Sequence, residues 1–129
     1  MIGYTLVGSN DMEKAAAFYD ALFATMGVSR LFVSPRGGIV YGSGWDKPMF
    51  GVNTPFDEKP ATIGNGSMVA FAAGSRANVD KLHAKVMELG GADEGAPGLR
   101  GPEEFGFYGA YCRDLDGNKL CFFHAGPEA

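Results

Sequence analysis

Gly3-Tyr4-Thr5-Leu6-Val7 reads as a strand and is followed by a helical stretch from about Asp11 to Met26. Gly66-Ser67-Met68-Val69-Ala70 then reads as a strand and is followed by a helical stretch from about Ser75 to Leu89. The chain writes one unit twice. Asp11 corresponds to Ser75, both residues that open helices. Phe18 corresponds to Leu82, Leu22 to Val86, and Gly27 to Gly91. Each helix gives way to short strands separated by Gly/Pro turns, so a repeat of βαβββ units accounts for nearly the whole chain. Consecutive strands beside helices inside each repeat argue for an α+β fold. We expect two tandem βαβββ modules forming a curled mixed sheet, a half-barrel around a cleft, with the helices outside. A cleft is where binding or chemistry would take place.

Working outward, the first helix has a capping pattern. Asn10 or Asp11 can cap, and Glu13 lies three residues after Asn10. Ala15, Phe18, Tyr19, Leu22 and Met26 recur at helical spacing, and Gly27 suits a C′ position. Strands are expected at Val28 to Ser34, Ile39 to Gly42 and Pro48 to Asn53, with a turn at Pro35 to Gly38. Thr54 to Gly64 contains two prolines, three charges and a glycine, and reads as a linker. The expected organisation is one domain over 1–129, with module one at about 1–54, the linker at 55–64 and module two at about 65–125. In the second helix Val79, Leu82, Val86 and Leu89 share a face, and Gly90-Gly91 is the stop. Glu94 to Gly106 reads as a Gly/Pro-rich loop with room for a short edge strand, and its part from Ala96 to Pro102 could serve as a lid. Phe107 to Arg113 and Lys119 to His124 read as a hairpin.

The hairpin turn decides which side chains share a face. A three-residue loop at Leu115 to Gly117, with Gly117 left-handed in a G1 bulge, sets Tyr111 opposite Cys121. A two-residue loop at Asp116-Gly117 would instead set Cys112 opposite Cys121 and open the way to a disulfide. With the longer loop, Phe107, Gly109, Tyr111, Cys121 and Phe123 share one face. By alternation, Met68, Ala70 and Ala72 share a face in one strand, and Tyr4 and Leu6 in another.

The bulk numbers bound the function. The chain has 129 residues, enough for one domain whose core needs no staples. A net charge of −4 disfavours nucleic acid, which asks for clustered Lys and Arg. No apolar run reaches the ~20 residues that span a bilayer, so no membrane partner is expected. Asp11, Glu13 and Lys14 near the start are unlike a signal peptide. A cytoplasmic protein is expected, with Cys112 and Cys121 as reduced thiols.

Three stretches carry a family resemblance: SNDMEKAAAFYDALF (Ser9 to Phe23), GNGSMVAFAA (Gly64 to Ala73) and GAYCRDLDGNKLCFF (Gly109 to Phe123). Together they resemble the vicinal oxygen chelate superfamily, which includes glyoxalase I, bleomycin-resistance proteins and extradiol dioxygenases. The closing strand-turn-strand is the most specific of the three. The resemblance covers about residues 2 to 125 and implies a homodimer. It also implies a divalent metal held by one residue on the first and one on the last strand of each module. By position these are Tyr4, a residue within Phe50 to Val52, Met68, and Cys121. The sequence departs from the family pattern at all four, since Tyr and Met are poor ligands and one thiolate does not make a site. The reading is therefore a divergent member with no metal and no cofactor.

The expected ligand pocket is Tyr4, Leu6, Trp45, Met68, Phe107, Tyr111, Cys121 and Phe123, an aromatic and sulfur-bearing lining. It suits an aromatic or cationic small molecule, since aromatic faces attract cations. The alternatives are a lyase- or isomerase-type enzyme with Tyr4 and Cys121 as acid–base groups, and a dimeric scaffold with a filled pocket. Arg36 and Arg100, in loops, could anchor an acidic ligand. Phe50, Phe56, Trp45 and Phe105 are expected to be exposed.

Overall fold

The computed structural model describes residues 1–127. Among these the chain forms two compact units, Met1–Ile63 and one that begins at Gly64. The first contains β1 (Tyr4–Gly8), α1 (Met12–Ala24), β2 (Arg30–Val33), β3 (Ile39–Tyr41) and β4 (Met49–Asn53). The second contains β5 (Val69–Ala72), α2 (Arg76–Glu88), β6 (Ala92–Leu99), a 3-10 turn (Glu103–Phe105), β7 (Tyr108–Arg113) and β8 (Lys119–His124). The α+β class and the two tandem βαβββ modules are thus as expected. The sheets have the same design, in the orders β1-β4-β3-β2 and β5-β8-β7-β6. The strand before each helix pairs in parallel with the last strand of its module, and the other pairings are antiparallel.

Local chemistry sets both helices. Asp11 accepts the Lys14 amide at 3.1 Å, and Ser75 accepts the Asn78 amide at 3.1 Å, each binding an amide that the first helical turn leaves unpaired. Asn10 does not cap. Its side chain brackets the linker instead, donating to the Ala61 carbonyl at 3.0 Å and accepting the Ala61 amide at 2.7 Å. The helices stop where Gly27 (φ 70°) and Gly90 (φ 93°) adopt the left-handed region. The Val28 and Gly91 amides reach back to the Phe23 and Val86 carbonyls at 2.9 Å in both cases.

Each helix buries one face against its sheet. In the first unit Ala15, Phe18, Tyr19, Leu22 and Phe23 meet Ile39, Tyr41, Phe50 and Val52. Four rings form one cluster: Tyr19 lies 5.0 Å from Phe50, and Phe23 lies 4.8 Å from Tyr41 and 5.5 Å from Phe50. The polar end of Tyr41 leaves this core by donating to Asp20 at 2.7 Å, and Arg30 clamps the same carboxylate at 2.9 and 2.7 Å. Arg30 holds the Asp20 carboxyl below its usual range, while burial and Asp20 push the Tyr41 phenol up. In the second unit Val79, Leu82 and Val86 pack on Ala110, Cys112, Leu120 and Phe122. His83 is also buried there and meets Asp93 at 3.0 Å.

Three expectations are corrected. The strand expected at Gly66 to Ala70 starts at Val69, because Gly66 (φ 98°) and a Ser67 amide bond to the Gly64 carbonyl at 2.8 Å turn the preceding residues. The edge strand for which Glu94 to Gly106 left room is present and runs over eight residues, Ala92 to Leu99, so Ala96 to Leu99 are part of the sheet and not of a lid. Its register shifts twice against β7, between Asp93 and Gly95 and between Gly95 and Gly98. Irregular pairing and Pro97 are tolerated because β6 is an edge strand, with one neighbour. Phe50 is buried, because its place in β4 points it at α1; Trp45, Phe56 and Phe105 are exposed. The longer hairpin loop holds, with Tyr111 opposite Cys121 and Cys112 opposite Leu120, so both cysteines are free and no disulfide forms.

Candidate functional site

Alternation leaves each sheet one face away from its helix. In the first unit the register sets Tyr4 beside Met49, Leu6 beside Gly51, and Gly51 beside Val40. Phe50 and Val52 turn to the helix, which resolves the residue within Phe50 to Val52 that faces the open side as Gly51. The missing side chain leaves room that the Leu6 side chain fills. A Cβ there would lie 2.6 Å from the Leu6 Cδ2 atom. Over this face is a cavity of about 300 Å³ whose walls include Tyr4, Leu6, Phe32, Val40, Trp45 and Met49. Trp45 arrives from the β3–β4 loop and meets the Phe32 ring edge-on at 5.8 Å. Ser34, Gly38 and Asn53 form the polar rim and also line an adjoining space of about 560 Å³ bounded by Arg36, Phe56 and Glu58. There the Arg36 guanidinium lies 5.3 Å from the Phe56 ring centre and 3.8 Å from Glu58.

The open face of the second sheet has two cross-strand rows. One runs Ala70, Cys121, Tyr111, Gly95; the other runs Ala72, Phe123, Gly109, Gly98. The Phe107 ring folds over Gly109 and stacks on Phe123 at 5.4 Å with 5° between planes. Met68 precedes β5 and is half exposed. The expected pocket residues therefore divide. Tyr4, Leu6 and Trp45 line the cavity of the first unit, and Phe107, Tyr111, Cys121 and Phe123 lie on the open face of the second. The sequence reading missed Phe32, Val40 and Met49 as walls. The alternation of β4 about Gly51 would have identified Met49, and the β3 register then Val40.

The positions that the resemblance assigns to a metal supply a phenol at Tyr4, no side chain at Gly51, a thioether at Met68 outside the strand, and a thiol at Cys121 with Ala70 beside it. Among the described residues no group of three His, Cys, Asp or Glu side chains is placed to hold a metal ion. This donor set does not fit a hard or borderline divalent cation. Nor is Cys121 built as a nucleophile. It is 1% exposed, and its burial raises the thiol pKa against the opposing pull of Arg100, Tyr111 and Lys119. Burial pushes Cys112 up to about 12. Both thiols are expected to resist Ellman's reagent in the folded protein at about pH 8, and both to react once the chain is unfolded. Rapid titration of one thiol in the folded state would contradict a buried, protonated Cys121.

A glyoxalase/bleomycin resistance protein from Albidiferax ferrireducens T118 is 40% identical, with a TM-score of 0.86 over 98% of this chain and 99% of that one. A hypothetical protein from S. aureus is 26% identical, with a TM-score of 0.73 over 96% and 92% of the two chains. A lactoylglutathione lyase from Agrobacterium tumefaciens shares the fold at 22% identity and a TM-score of 0.67, over 96% and 92%. No match was found among curated proteins. A family model matches residues 1–122, and by that match the chain belongs to the Glyoxalase/Bleomycin resistance protein/Dioxygenase superfamily.

Proposed function

We propose that the protein binds a flat, apolar or aromatic small molecule without a resident metal, in the manner of a sequestering protein. The observation that carries this reading is the cavity of about 300 Å³ in the first unit, walled by Tyr4, Leu6, Phe32, Trp45 and Met49. That volume is at the small end of ligand sites, and apolar walls with a few rim polar groups are how such sites are built. Aromatic walls and a net charge of −4 favour a cationic member of that ligand class. A lyase- or isomerase-type reaction would need a second acid–base group near Tyr4, and the cavity walls supply none.

Trp45 is the only tryptophan in the chain, so its fluorescence reports this cavity alone. Titrating a panel of planar aromatic amines and neutral arenes is expected to give saturable quenching that excess EDTA leaves unchanged. Leu6→Asp, which places a charge on the apolar wall, should weaken binding by about tenfold or more. No saturable quenching from any member of the panel, or quenching that Leu6→Asp does not affect, would sink the proposal.

A further inference from the structure

Asn65 is the one asparagine in the chain that a glycine follows. Gly64-Asn65-Gly66-Ser67 forms a turn closed by the Ser67 amide on the Gly64 carbonyl at 2.8 Å, with Gly66 at φ 98° in its third place. A turn of that shape asks for glycine there, because a side chain is strained at such a φ. The turn opens the second compact unit, directly after Ile63, and all four of its residues are exposed.

Two neighbouring groups in this turn are unheld. The Asn65 side-chain amide makes no hydrogen bond among the described residues, and neither does the Gly66 backbone amide. The Gly66 nitrogen can therefore reach the Asn65 Cγ by closing a five-membered ring. A Cβ placed on Gly66 would meet no atom within 4 Å, so nothing crowds that approach. The comparable positions are held back. In Asp116-Gly117 the Gly117 amide is already donated to the Asp114 carbonyl at 3.1 Å. The side-chain amides of Asn10, Asn78 and Asn118 donate to Ala61, Ala73 and Asp114. Asn53 ends β4 and is followed by the β-branched Thr54.

We propose that Asn65 is a modification site, where the chain deamidates itself with water as the only co-reactant. The Gly66 nitrogen bonds to the Asn65 Cγ, and its proton passes by way of solvent to Nδ2. The Cγ–Nδ2 bond breaks and ammonia leaves. Water then opens the ring. Attack at Cγ leaves aspartate, and attack at the Asn65 backbone carbonyl leaves isoaspartate, whose main chain runs through Cβ and Cγ. Either product adds one negative charge to a chain of net charge −4. The isoaspartyl product also lengthens the main chain inside the turn by one carbon, which strains the bond from Ser67 to Gly64. Loss of ammonia makes the reaction one-way, so the modified fraction records the age of the molecule.

The test holds the folded, full-length protein at mildly alkaline pH and maps its peptides by mass spectrometry, with fragmentation that separates isoaspartate from aspartate. A peptide spanning residues 63–68 is run in parallel. Asn65 is expected to convert to both products within about tenfold of the peptide's rate, because a single hydrogen bond restrains the turn. The other four asparagines and Asp116 should lag by about tenfold or more, held by the bonds and backbone around them. The rate should rise with pH, since the attacking nitrogen must lose its proton. Asn65→Gln, which would need a six-membered ring, should abolish the conversion and leave Tm unchanged, as the side chain is exposed and unbonded. Asn65 remaining intact in the folded protein, converting no faster than Asn10 and Asn118, or converting only after urea unfolds the chain would overturn the proposal.

Discussion

Truncating Phe23 to alanine is expected to destabilise the protein by about 3–5 kcal/mol, the range for losing a buried aromatic ring with little collapse around the hole. Phe23 is 2% exposed and touches three other rings: Tyr41 at 4.8 Å, Phe50 at 5.5 Å and Tyr19 at 5.8 Å. Those neighbours come from α1, β3 and β4, so no single element can shift to fill the void. Chemical denaturation monitored by far-UV circular dichroism would measure the loss. A change below about 1 kcal/mol would mean that the cluster repacks, and that the four rings are less tightly interlocked than their spacing implies.

The second large effect is expected at Asp114, in the hairpin that carries the most specific stretch of sequence. One carboxylate oxygen accepts the Asp116 and Asn118 amides at 2.9 Å each, and the other accepts the Asn118 side-chain amide at 2.9 Å. The residue is 5% exposed, so water cannot replace these bonds. Asp114→Ala leaves backbone donors without their acceptor and should cost about 3 kcal/mol. Asp114→Asn keeps one acceptor oxygen and should lose about half as much. The urea midpoints of the two variants are the measurement, and equal losses would show that the one amide oxygen kept by asparagine contributes nothing and that the carboxylate charge carries the whole effect.

The two sites contrast in how readable they were. The hairpin was legible because its turn chemistry is local: Asp114 gathers nearby amides, Gly117 takes a φ of 91°, and the register of Tyr111 with Cys121 follows. The cavity around Trp45 was legible only in part. Tyr4, Leu6 and Trp45 could be named from position, but Phe32, Val40 and Met49 belong to the same wall through strand pairing. Phe23 was likewise missed while Met26 was included. The real core face of α1 is wide enough to take Phe23, and the helix ends at Ala24, before Met26.

The sequence by itself determined the repeat, both helices with their caps and stops, the closing hairpin and the poor donor set at the metal positions. These are matters of short-range pattern and residue chemistry, which need no knowledge of distant partners. Tertiary structure alone decided that the edge strand takes in all eight residues from Ala92 to Leu99. That stretch has no alternating apolar pattern, and it is held only because β7 offers an edge to pair with. Tertiary structure also decided that Gly51 rather than Phe50 faces the open side, and that Arg100 and Lys119 lie 5.5 and 5.6 Å from the centre of the Tyr111 ring. Both depend on register between strands far apart in the chain, where a slip of one residue reverses every side chain.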